Sequence, residues 1–124
     1  MKYIYVAGPY SAATPEEIER NVWRAIDAGD EILKMGLWPM VPHEHHYWHA
    51  RHKHDYKDWT ELDLAWIRRC DGVYRMHGAS PGADREVELA RFLGIPIFTT
   101  MASLRALADG VRKIREATKA WGLE

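Results

Sequence analysis

The stretch His77-Gly78-Ala79-Ser80-Pro81-Gly82-Ala83-Asp84-Arg85-Glu86 decides how this chain is read. The run before it, Gly72-Val73-Tyr74-Arg75-Met76, has the character of a strand. The run after it, residues 87–93, carries apolar residues at helical spacing. A strand therefore passes into a helix through small, turn-forming residues, which let a ligand come close to the backbone. The start of such a helix offers unpaired N–H groups and the positive end of its dipole, a setting that suits anions. Glu86 is expected in that first turn, held ionised, as a candidate nucleophile or base. Taken alone, the segment is equally an ordinary capped turn with surface charge, so the rest of the chain has to choose.

Working outward toward the N-terminus, residues 2–7, Lys-Tyr-Ile-Tyr-Val-Ala, form a β-branched and aromatic run expected to be a buried strand. Gly8-Pro9-Tyr10-Ser11 breaks it. Thr14-Pro15-Glu16-Glu17 has the marks of a helix start: a capping hydroxyl, proline at the first position and acids in the first turn. Apolar spacing continues from Ile18 to Leu33, and the helix is expected to stop before Gly36. Residues 37–41 predict a second strand, placed at a sheet edge by Pro39. Residues 42–59 are unusual, with His43, His45, His46, His49, His52 and His54 among Tyr47, Trp48, Tyr56 and Trp59. A helix is expected over residues 55–69, with Trp59, Leu62, Trp66 and Ile67 on one face. Beyond the opening stretch, Gly94 ends a helix, residues 95–98 predict strand four, and Ser103 is expected to cap a last helix running to Lys119.

The order βαβαβαβα predicts an α/β fold: a single-domain, Rossmann-like (flavodoxin-like) parallel sheet of four to five strands, order 2-1-3-4, with helices on both faces. In such sheets ligands bind beyond the carboxyl ends of the strands, where the strand order reverses. Here that point lies between strands one and three. Their outgoing loops are residues 8–11 and 77–80, so topology points independently at the opening stretch.

Bulk properties narrow the function. A length of 124 residues fits one domain, and 47% hydrophobic content suffices for a real core. The balance of 17 basic and 18 acidic residues, a formal charge of -1, argues against nucleic-acid or membrane partners. The one cysteine, Cys70, forms no internal disulfide and fits a reducing compartment. No apolar stretch approaches the ~20 residues of a membrane span. With a strand starting at once and no signal-peptide pattern, the expected location is cytoplasmic.

The candidate chemistry is a constellation of acids. Glu86 sits at a helix start, Asp63 on the preceding helix, and the Tyr5 hydroxyl near the end of strand one. Paired acids in different environments suit glycosidic chemistry, where one attacks or stabilises the anomeric carbon and the other handles the leaving group's proton. The His45/His49 and His49/His52 spacings permit a metal site. They lack a cysteine partner or a His-Glu-x-x-His arrangement, so neither a metal nor a cofactor is expected. A lid, base pocket or subunit contact suits the His/Trp/Tyr mixture better, with His43 and His45 nearest the ligand. Cys70 is expected to be a small buried residue.

These residues carry a resemblance. Tyr3-Ile4-Tyr5-Val6-Ala7-Gly8-Pro9-Tyr10 resembles the opening strand and loop of the nucleoside 2-deoxyribosyltransferase family. Asp63-Leu64-Ala65-Trp66, followed by Cys70-Asp71-Gly72-Val73, resembles its helix-to-strand segment. Ser80-x-Gly82-x-x-x-Glu86, followed by Ala90 and Gly94-Ile95-Pro96, resembles its nucleophile motif. The length is similar to that of the 2′-deoxynucleoside 5′-phosphate N-hydrolase branch and related small phage and bacterial proteins. The resemblance implies that Glu86 attacks C1′ to form a glycosyl-enzyme, that Tyr5 holds Glu86, and that Asp63 contacts the sugar or protonates the base. It implies that Ser80 and Gly82 bind a 5′-phosphate and that Gly8, Pro9 and Ser11 line the sugar–phosphate side. It also implies a small-molecule nucleoside or nucleotide partner and a homo-oligomer with composite active sites. Cleavage by water is expected ahead of base exchange. A non-catalytic nucleotide-binding module is the rival of another class.

Overall fold

The structure, a computed structural model, describes residues 2–123; Met1 and Glu124 lie outside it. Its elements run β1 (Tyr3–Ala7), α1 (Pro15–Lys34), β2 (Trp38–Met40), a 3-10 turn (Pro42–Glu44), α2 (His45–Arg51), α3 (Tyr56–Arg69), β3 (Gly72–Arg75), α4 (Pro81–Phe92), β4 (Ile97–Phe98) and α5 (Met101–Ala120). The four strands are parallel and ordered β2-β1-β3-β4, the α/β arrangement expected from the alternation of elements. Among the described residues, no helix is long and apolar enough to cross a membrane.

The period-2 alternation of β1 divides the core. Ile4 and Val6 face α1 and α5, packing with Ala25, Ile32, Leu104 and Ala108. Tyr5 and Ala7 face the other way, packing with Ile67, Cys70, Val73, Ala83, Val87 and Ala90 beneath α3 and α4. Helices thus cover both faces of the sheet. Tyr5 therefore belongs to the α3/α4 side, a placement set by strand register alone.

Helix starts follow their capping chemistry. Thr14 Oγ1 accepts the Glu17 N–H at 3.2 Å, and Pro15 takes the first position of α1. Ser80 Oγ accepts the Ala83 N–H at 3.1 Å, with Pro81 first in α4. That helix begins six residues before the apolar run at Val87, so Glu86 stands in its second turn rather than its first. The early turn has no apolar periodicity; its cap and proline mark it instead. The last helix is capped by Thr100, not Ser103: the Ser103 N–H donates to Thr100 Oγ1 at 3.1 Å.

Two strands are shorter than expected. β2 spans Trp38–Met40, and Pro39, which has no N–H, is tolerated because this strand is the sheet edge. β4 is only Ile97–Phe98, although the Pro96 carbonyl still accepts the Val73 N–H at 3.0 Å. The histidine-rich segment folds as the 3-10 turn and α2 and leads into α3.

The loops after β1 and β3 press together. Gly78 has φ +120, and a Cβ there would lie 2.8 Å from Pro9 Cγ. A Cβ on Gly8 would lie 2.9 Å from Met76 Cβ and Sδ. Both positions require the absence of a side chain, which lets the two outgoing loops meet at the reversal point of the sheet.

Candidate active site

A cavity of about 750 Å³ opens at the carboxyl ends of β1 and β3, within the usual size range for small-molecule sites. Its floor is the β1 loop (Gly8, Pro9, Tyr10, Ser11) and the start of α4 (Ser80, Pro81, Gly82, Ala83), with Glu86 one turn further on. Helix α3 presents Tyr56, Trp59, Thr60, Asp63 and Leu64, a 3–4 residue spacing that puts them on one face. The histidine-rich segment adds His43, His45, His46, His49 and His54. The sequence had suggested Trp59, Leu62 and Trp66 as the apolar stripe of α3. In the structure Trp59 turns to the cavity, while Trp66 packs against the core beneath α4. The cavity face is set by Asp63 and its helical neighbours.

Glu86 is the chemical centre of this wall. The Tyr5 hydroxyl donates to its Oε2 from inside the core. Tyr5 is fully buried and does not line the cavity, so it can act on a ligand only through Glu86. Burial pushes the Tyr5 phenol far above its ordinary range, helped by the charges of Glu86 and Asp63, so it stays a donor. Burial also pushes the Glu86 carboxyl up, and the nearby Asp63 charge adds to this. The Tyr5 hydrogen bond, Arg75 and Arg85 oppose it, and the balance lies at about 7. A glutamate held ionised by the helix start was expected; the structure instead finds it poised between forms, because burial outweighs the Tyr5 hydrogen bond and the two arginines.

Asp63 and His45 share the opposite side of the chemistry. His45 Nδ1 lies 3.3 Å from Asp63 Oδ1 without hydrogen-bond geometry. Both His45 nitrogens and Asp63 Oδ1 are buried and have no hydrogen-bond partner within the protein. His45 stacks on Trp59 at 5.1 Å and 20°, and Trp66 approaches it at 4.8 Å. A buried histidine held between aromatic rings with free nitrogens is a group awaiting a ligand or water.

His43 is differently constrained. Its Nε2 lies 3.2 Å from the Gly8 carbonyl and 3.1 Å from that of Pro9, so Nε2 carries the proton and donates. Burial lowers its pKa, which keeps the ring neutral and leaves Nδ1 as a buried lone pair. His49 Nδ1 accepts from Trp59 Nε1 at 2.9 Å and from the His54 N–H at 3.2 Å. Among the described residues no group of three or more His, Cys, Asp or Glu is arranged to hold a metal ion. Cys70 is buried, and burial pushes its thiol to about 12, so it is not a nucleophile.

Of the residues singled out from the sequence, Glu86, Asp63, Gly8, Pro9, Ser11, His43, His45, Ser80 and Gly82 all line this one cavity, and Tyr5 supports it from behind. His46, Tyr56 and Trp59, from the segment read as a lid, base pocket or subunit contact, line the cavity, while sequence reasoning gave no role to Tyr10 or Arg85. Tyr10 was within the quoted loop, and its hydroxyl meets His46 Nδ1 at 2.8 Å. Arg85 directly precedes Glu86, and its Nη2 donates to the Tyr56 hydroxyl at 3.2 Å. The spacing of Tyr56, Trp59 and Asp63 was the available signal for the α3 wall.

No curated protein matches the sequence. Among solved structures, the fold is similar to that of a 2-deoxyribosyltransferase from the psychrotolerant bacterium Bacillus psychrosaccharolyticus. The TM-score is 0.57 with 17% sequence identity, over 77% of this chain and 69% of the other. At that identity the likeness is one of fold. Residues 2–100 match the model of a family described as a domain of unknown function (DUF7768), and the chain belongs to that family.

Proposed function

We propose that this protein breaks the N-glycosidic bond of a (deoxy)nucleoside or its 5′-monophosphate with retention, through a glycosyl ester on Glu86, and passes the sugar to a second base. One observation carries the reading: a buried tyrosine hydroxyl donates to a cavity-facing glutamate whose carboxyl is balanced near neutrality. This is the arrangement a retaining nucleophile needs, ionised when it attacks and oriented beforehand.

In the first half-reaction ionised Glu86 attacks C1′. The C1′–N bond breaks and its electron pair stays on the base nitrogen. That nitrogen takes a proton that Asp63 relays from solvent, with His45 beside it at 3.3 Å. In the second half-reaction the incoming base attacks C1′, its proton returns to solvent through Asp63, and Glu86 is released. Every group used belongs to this chain. The fold's likeness to a 2-deoxyribosyltransferase supports transfer to a base ahead of hydrolysis, which shares the covalent step and ends with water. The Ser80–Gly82 helix start and Arg85 support a 5′-phosphate on the sugar. A cytoplasmic homo-oligomer whose neighbour closes the open side of the cavity accompanies this reading.

The test incubates the protein with a panel of (deoxy)nucleosides and 5′-monophosphates, with and without a second free base, and follows products by chromatography. Exchange dependent on the second base supports transfer, and release without it supports hydrolysis. Mass spectrometry of the quenched enzyme should find the sugar on Glu86. Tight monophosphate binding with no base release, unchanged in Glu86→Gln, would mark a binding module instead.

A further inference from the structure

We propose that Arg75 is a positioning residue that fixes the place of the β3–α4 loop and of the helix start that carries Glu86, an inference that rests on the function proposed above. Arg75 is the last residue of β3, and its side chain is 15% exposed. It does not line the cavity, so it does not touch the substrate. Its guanidinium makes three connections with one planar group. Nη1 donates to the Met76 carbonyl, and Nη2 donates to the Gly78 carbonyl at 2.9 Å and to Asp84 Oδ1 at 3.0 Å.

Those partners are the two ends of the loop that carries Ala79, Ser80 and Gly82 to the cavity. Met76 and Gly78 lead out of the sheet, and Asp84 stands in the first turn of α4, two residues before Glu86. Gly78 is also the point where this loop meets Pro9. A fork of fixed geometry that spans strand end, loop and helix start holds them in one register. A lysine, with a single flexible charge, cannot make all three contacts. The Asp84 side chain is 69% exposed, so a surface ion pair alone explains little of this arrangement. The buried part of the clamp is the pair of carbonyls.

The second effect is electrostatic. The groups that bear on Glu86 are Tyr5 from β1, Asp63 from α3, Arg85 from its own helix, and Arg75 from β3. Arg75 and Arg85 both favour the ionised carboxylate of Glu86. One residue outside the cavity thus serves position and proton affinity together.

Two variants separate these effects. Arg75→Lys keeps the charge and loses the fork, and Arg75→Gln keeps a donor and loses the charge. The readouts are kcat for base release or exchange across pH, and the ionisation midpoint of Glu86 by carbon NMR of labelled protein. Circular dichroism and Tm serve as controls of folding. Arg75→Lys should keep the wild-type midpoint and lose roughly tenfold in kcat, since loop misplacement of about an ångström can cost up to ~100-fold. Arg75→Gln should lose rate and also move the midpoint upward. Wild-type kcat in Arg75→Lys, or a wild-type midpoint in Arg75→Gln, overturns the inference. Should Arg75→Gln not fold, the rate of Arg75→Lys decides alone. The NMR titration needs no turnover, so failure of the proposed reaction and failure of this inference are read separately.

Discussion

The Tyr5 hydroxyl, on the second core-facing position of β1, donates to Oε2 of Glu86, 81 residues later in the chain. The strand delivers the donor from within the core, and the second turn of α4 delivers the acceptor at the cavity wall. The pair orients the carboxylate before any substrate arrives, and it partly offsets the burial that would keep Glu86 protonated.

The first expected outcome is a pH dependence. Glu86 must be ionised to attack, and its carboxyl stands at about 7. The rate should therefore fall as pH drops below about 7, approaching a tenfold loss per unit in the acid limb. A profile of kcat/KM between pH 5 and 8 measures it. A flat profile across that range counts against Glu86 as the nucleophile.

Tyr5→Phe removes the donor and leaves the ring. The loss of a hydrogen bond to a charged group is worth about 1.5–3 kcal/mol, so kcat at pH 7 should drop roughly 10- to 100-fold. Because the bond favours ionised Glu86, the acid limb should also move to higher pH. Unchanged activity with an unchanged limb would remove Tyr5 from the mechanism.

Glu86→Gln should abolish turnover and, above neutral pH, stabilise the fold. Between the ordinary 4.5 and about 7, the folded state holds a proton on Glu86 that the unfolded state has released. Stability is therefore fullest at low pH in this window and declines as pH rises to about 7. The glutamine carries no such penalty. The variant should match wild type near pH 5 and exceed it at pH 8 by at most on the order of 3 kcal/mol. Thermal melts at the two pH values provide the comparison.

Gly78→Ala tests the junction of the loops. A non-glycine residue at φ +120 is strained, and the new Cβ would meet Pro9 Cγ at 2.8 Å. A cost of about 1–3 kcal/mol in denaturant unfolding is expected, together with a raised KM as the two loops part. A neutral effect on both would mean that the junction is slack.

Arg85→Ala addresses the 5′ position. Among the described residues lining the cavity, Arg85 is the one lysine or arginine. If it faces a phosphate, KM for a monophosphate should rise roughly tenfold, as for a lost charge-assisted contact, while KM for the bare nucleoside stays put. Equal changes for the two substrates would place Arg85 elsewhere on the ligand.

Much of the fold was legible because its signals are local. Thr14-Pro15 marks a helix start by capping chemistry, Pro39 marks an edge strand by its missing N–H, and the alternation of Ile4, Tyr5 and Val6 assigns each to a face. The errors were also local in origin. Ser103 looked like a cap, but the helix starts earlier, with Thr100 as its cap accepting the Ser103 N–H. Helix α4 starts earlier than its apolar run suggests, because its first turn is made of small residues without apolar periodicity.

The sequence by itself determined the order of the four strands and of the helices outside the histidine-rich segment, the parallel sheet and the loops that meet at its reversal, because period, capping and turn residues act over a few neighbours. Only the tertiary structure decided how Glu86 is tuned. Its proton affinity depends on burial, on Tyr5 from another strand, on Asp63 from another helix and on Arg75 beneath the loop. The same holds for the wall of His45, Trp59 and Asp63. Desolvation and Coulomb interactions depend on distance through space, and no spacing along the chain records that distance.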